Sequence, residues 1–231
     1  MFLDIIALFV SFLCLIIIVM TIGSYRFQKE INIPFVVIIL FVGIQRFQSS
    51  LTNLNLVELK SPFEEFPLFA LIFIPLFLYF FKTSTEDKNI SRKNLAHFIL
   101  PIILISLKKL GLLSNLMSRV IFFLFCFSYW ILILFIIIDY YKKTISKYSF
   151  NRINLRWLIL MFSNVTLIMF FLNYKVLYWD LNQSDSSLTN FYRGSSILWV
   201  VALAYLILNP VIIFGKDYLL NQLTLKSKLV N

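Results

Sequence analysis

Residues 66–105 read FPLFALIFIPLFLYFFK, then TSTEDKNISRKN, then LAHFILPIILI. Two apolar blocks flank a short linker in which Lys82, Lys88, Arg92 and Lys93 outnumber Glu86 and Asp87. An apolar helix of about 20 residues crosses the roughly 30 Å hydrocarbon layer, and basic loops stay on the cytoplasmic side. The stretch therefore reads as a helical hairpin with a cytoplasmic turn.

The composition carries the same reading over the whole chain. Of 231 residues, 60% are hydrophobic and 18% aromatic; soluble domains are roughly 45–50% apolar, so a water-soluble core is excluded. The formal charge of +10 belongs to loops that set topology and is no sign of nucleic-acid binding. Cys14 and Cys126, the two cysteines, sit among Leu, Ile and Phe and read as small buried hydrophobes.

Outward from the hairpin, apolar blocks recur. Residues 2–22 form a first helix; Asp4 and the lack of a basic residue before Arg26 argue against a cleaved signal peptide. Residues 33–51 form a second, with Pro34 in its first turn. The third starts at Phe66 and contains Pro75; the fourth, residues 95–113, contains Pro101. Residues 120–138 form a fifth helix ending at Asp139. Trp157 opens a sixth, followed by a loop from Asn173 rich in Tyr, Trp and Asp. Residues 195–215 form the seventh.

With the N-terminus outside, fourteen of the 21 Lys and Arg residues fall in cytoplasmic regions and seven in outer ones. The expected fold is therefore all-α, an integral membrane bundle of seven transmembrane helices, N-terminus outside and C-terminus cytoplasmic, multi-pass in a bacterial inner membrane. Residues 1–215 make one transmembrane domain. Residues 216–231 make a short cytoplasmic tail, DYLLNQLTLKSKL within it having the pattern of an interfacial amphipathic helix or a truncated linker.

Candidate polar ligand or coupling positions are few. Arg46 lies near the far end of the second helix, where a charge ordinarily snorkels to the interface, the alternative being a coupling role inside the bundle. Tyr79 and His97 flank the hairpin turn, and the Pro75 and Pro101 kinks are expected to bring them together. Asn164 sits at mid-membrane depth with Ser163 and Thr166, a grouping suited to packing or to lining a cavity. Asn209 and Pro210 mark a kink in the seventh helix, with a polar side chain beside the backbone group that proline leaves unpaired. No H-E-x-x-H, C-x-x-C or G-x-x-x-x-G-K-[ST] pattern and no mid-membrane carboxylate pair occurs, so neither catalysis, a metal nor a cofactor is expected.

The run FPLFALIFIPLFLYFFK with its charged linker and RKNLAHFILPIIL, Arg156-Trp157-Leu158 at the start of the sixth helix, and Asn209-Pro210 before Phe214-Gly215 resemble the seven-helix membrane region of membrane-bound AraC-type helix-turn-helix transcription regulators of Bacteroidetes. The resemblance implies a sensory or signalling input module. Such regulators continue into a DNA-binding domain, whereas this sequence stops at Asn231, so the unit is expected to be truncated, split or to act alone. The implied partners are the lipid bilayer and a second copy of the chain or a separate DNA-binding protein; the chain itself is expected to bind no nucleic acid. The competing reading is a small membrane carrier, or a fragment of a transport or polysaccharide-assembly protein, and a neighbouring helix-turn-helix frame would separate the two.

Overall fold

A computed structural model describes residues 2–23, 33–54, 56, 70–85, 96–144, 149–178 and 194–214. Among these residues the chain is helical throughout. The helices are α1 (Phe2–Gly23), α2 (Ile33–Asn53), α3 (Ala70–Thr85), α4 (Ile99–Lys109), α5 (Asn115–Thr144), α6 (Ser149–Tyr178) and α7 (Ser196–Leu208). Four of them, α1, α2, α5 and α6, are long and apolar enough to cross a membrane. The other three are apolar but shorter.

Local chemistry explains the short helices. A 3₁₀ turn at residues 96–98 precedes α4, and the helix ends where Gly111 adopts a φ of 71°. There the Leu112 N–H reaches the Leu107 carbonyl and the Gly111 N–H the Lys108 carbonyl, both at 3.0 Å, a Schellman closure that needs a residue without Cβ strain. The fourth helix is thus 11 residues and about 16 Å long, not the block 95–113 that apolarity marks. Pro101 is its third residue, in the first turn where no intrahelical acceptor waits for an N–H. It is no mid-helix kink. Pro75, by contrast, lies inside α3.

At the long helices the apolar blocks underestimate the elements. Ser114 caps α5, its hydroxyl accepting from the Met117 N–H at 3.2 Å, so that helix starts at Asn115 rather than at Val120. It continues past Asp139 to Thr144, with an i,i+4 bond from Lys143 to Asp139 along its exposed side. Helix α6 starts at Ser149, two turns before Trp157, and runs on to Tyr178. Residues 173–178 are therefore helix, although their polar and aromatic character reads as loop. Polar residues prolong a helix freely once it has left lipid, because the backbone stays paired either way.

The packing closes on itself. Helix α1 lies against α2 and α7, α2 against α3, α3 against α4, α5 and α6, α5 against α6, and α6 against α7. At the centre Phe35 meets Trp157 edge-on at 6.1 Å and Phe80 at 5.7 Å, and Phe80 meets Trp157 at 6.5 Å. One aromatic hub thus ties α2, α3 and α6. Trp199, Ala202, Leu203 and Leu206 bring the buried face of α7 into the same core. Outside, Phe9, Leu124, Phe135 and Phe170 are exposed. Such an apolar exterior is unfavourable in water and suited to lipid.

Both cysteines are buried and free, on α1 and α5. Cys14 serves a close approach: a Cβ added to Gly43 would stand 3.0 Å from the Cys14 Cβ. Small residues there let α1 and α2 pack closely, as neighbouring helices do in membranes.

Candidate functional site

Arg46 does not snorkel. It projects from α2 into the bundle with 2% of its surface exposed. Its Nη2 donates to the Ser195 hydroxyl at 2.6 Å and its Nη1 to the Ser196 hydroxyl at 2.9 Å, at the start of α7. Ser195 occupies the cap position yet makes no side-chain cap bond to its own helix; its hydroxyl serves the guanidinium instead. One turn along α2, the buried Ser50 hydroxyl returns a bond to the Arg46 carbonyl at 2.7 Å. Taking a guanidinium out of water costs several kcal/mol unless its donors are met, so this clamp specifies how the start of α7 sits against α2. Cys14 on α1 lies within electrostatic range of the same group.

Pattern reading placed Arg46 at the interface because position along a block does not say which way a side chain points. It also missed Ser195 and Ser196, for which the readable signal was a hydroxyl pair at a helix start. Asp4, which the sequence puts simply at a block end, is likewise buried, on α1.

Tyr79 and His97 each contact other members of one polar group. The Tyr79 ring stacks on Phe98 with centroids 5.7 Å apart, while His97 Nδ1 lies 2.9 Å from the Tyr129 hydroxyl of α5. The Tyr79 and Tyr129 phenols are within electrostatic range of each other, as are Lys82 and His97. Tyr129 is the member that sequence reasoning missed, since its block is apolar all round. The Tyr79 hydroxyl is buried and has no hydrogen-bond partner among the described residues. The group is a polar node where α3, α4 and α5 meet.

Around Asn164 the expected grouping divides. Ser163 is exposed, and its hydroxyl donates to the Ile159 carbonyl at 3.1 Å. Thr166 grips a neighbour, accepting from Trp130 Nε1 at 2.9 Å across the α5–α6 seam. Asn164 is buried, donates to the Leu160 carbonyl at 2.9 Å, and leaves its Oδ1 unpartnered among the described residues. Consecutive residues on a helix point about 100° apart, which is why the three diverge.

Asn209-Pro210 ends α7. Asn209 leaves the helical region (φ −123°, ψ 66°), and its Nδ2 donates to the Tyr205 carbonyl at 2.9 Å. Its backbone N–H supplies the Leu206 carbonyl at 3.2 Å, which the proline cannot do. A further helical turn over residues 211–214 resumes beyond the break. Among the described residues no group of three His, Cys, Asp or Glu side chains is placed to hold a metal ion. No protein-family profile, curated protein or solved structure matches this chain.

Proposed function

We propose that this protein is a membrane-embedded sensory module whose output element is α7, crossing the bacterial inner membrane seven times with its N-terminus outside and acting as the input half of a transcription regulator of AraC type. The observation that carries this reading is the Arg46 clamp on Ser195 and Ser196. A buried charge holds one end of α7, and the Asn209-Pro210 break lies at the other. A helix restrained by a polar clamp and broken near its exit has two ways to sit, and a cue that favours one arrangement over the other shifts their populations. The DNA-binding function would be supplied in cis or by a partner protein; the module binds lipid and copies of itself or that partner, not DNA.

The test is a fusion of a helix-turn-helix reporter domain after Asn231, carried by the wild-type chain and by Ser195→Ala/Ser196→Ala. Reporter transcription should respond to a panel of osmotic, acid and envelope-stress conditions in the wild type. It should be unresponsive in the clamp variant at equal membrane abundance, while the unfused chain regulates nothing. A fusion indifferent both to every condition and to the clamp substitutions would remove the reading, and solute uptake by proteoliposomes of the purified chain would install a carrier in its place.

A further inference from the structure

The first turns of α6 carry charge of the wrong sign. A helix N-terminus is the positive end of the backbone dipole and favours anions, yet Arg152 and Arg156 stand there, both exposed. Four residues apart, they share a face and repel each other. Lys142 and Lys143 are exposed on the last turn of α5, joined to this end of α6 by the bond from Asn154 Nδ2 to the Tyr140 hydroxyl. From Tyr140 to Trp179 the sequence has no Asp or Glu, and Asp139 pairs with Lys143.

One of the arginines lies beside the neighbouring helix. The Tyr205 hydroxyl of α7 donates to the Ile153 carbonyl at 3.1 Å and lies within electrostatic range of the Arg156 side chain. Arg156 thus stands beside the α6–α7 seam with its head exposed, and its planar fork suits a phosphate oxygen pair. One turn deeper, Ile159 on α6 and Val201 on α7 are exposed and apolar. Arg152, Arg156, Ile159 and Ser163 form a single exposed stripe running from charge into hydrocarbon.

We infer that the end of the α6–α7 seam is a binding site for an anionic phospholipid, its phosphate held by Arg156 and Arg152 and its acyl chains lying over Ile159 and Val201. A phosphate between the two arginines relieves their repulsion and meets the dipole of α6 with the right sign. Free phosphate shares the headgroup chemistry but makes no use of the apolar stripe beneath it.

Native mass spectrometry of the full chain released from micelles holding equal phosphatidylglycerol and phosphatidylcholine distinguishes these. Wild-type protein should retain phosphatidylglycerol preferentially. Each lost charge should weaken retention about fivefold, from roughly 1 kcal/mol per basic residue near an anionic surface, so Arg152→Gln/Arg156→Gln should lose nearly all of it. Tyr205→Phe, which removes the hydroxyl beside Arg156 without changing the charge, should lose part, and Arg156→Lys should retain most. Arg119→Gln, the same charge change at the opposite end of α5, should behave as wild type. Equal losses in Arg119→Gln and the double variant would overturn the site. So would no preference between the two lipids, or inorganic phosphate displacing all retained lipid. Because Arg152 and Arg156 are exposed, an unchanged elution volume on gel filtration is expected for their variants.

Discussion

Tyr79 shows what a single side chain costs in this bundle. Its ring contributes a stack on Phe98, but its hydroxyl is buried without a partner among the described residues. An unmet buried hydroxyl costs about 1–3 kcal/mol. Tyr79→Phe keeps the ring and removes the debt, so it should raise thermal stability in detergent by about 1 kcal/mol or more, followed by tryptophan fluorescence on heating. A loss of stability would show that the hydroxyl is paired. Arg46 is the opposite case. Its charge is buried but its donors are met by Ser195 and Ser196, and the value of the arrangement is the geometry it imposes on α7.

Each helix ends for its own local reason, and those reasons do not follow the edges of the apolar blocks. α4 stops at Gly111 because a left-handed residue closes the Schellman bonds. Gly111→Ala should cost about 1 kcal/mol through that positive φ alone, since a Cβ there would meet nothing within 4 Å. Chemical denaturation in mixed micelles would report the shift, and an unchanged midpoint would mean that the turn relaxes. α5 begins at the Ser114 cap and α7 ends at Asn209-Pro210; of these only Asn209-Pro210 was read from the sequence. What misleads is hydropathy, which places the boundary where lipid ends rather than where the hydrogen-bond ladder ends.

At the scale of the molecule, a circuit of packed helices with an aromatic hub faces an apolar exterior. The proposed orientation predicts labelling. In a Cys14→Ala/Cys126→Ala background, Lys142→Cys should resist a membrane-impermeant thiol reagent in intact cells and react after lysis, while Met117→Cys at the other end of α5 should react in both. Reversed reactivity would invert the topology and with it the inside-outside assignment of the proposed sensory module. The loop position Ser146, also suited to this assay, lies outside the described residues, as do Glu64, Glu65 and the tail 216–231. The all-helical, membrane-bound class was determined by the sequence alone, because twenty-residue apolar blocks have no other way to satisfy their backbone in lipid. The break at Pro210 was legible there too, being a property of one residue's backbone, whereas Gly111 lay inside the block 95–113 and was marked as an end only by the structure. Only the tertiary structure decided that Arg46 turns inward to Ser195 and Ser196, that His97 finds Tyr129, and that Tyr205 reaches the Ile153 carbonyl. In a helix that is apolar all round, no periodic stripe records which face meets a neighbour and which meets lipid, so pairings between residues some 30 to 150 positions apart were decided by packing.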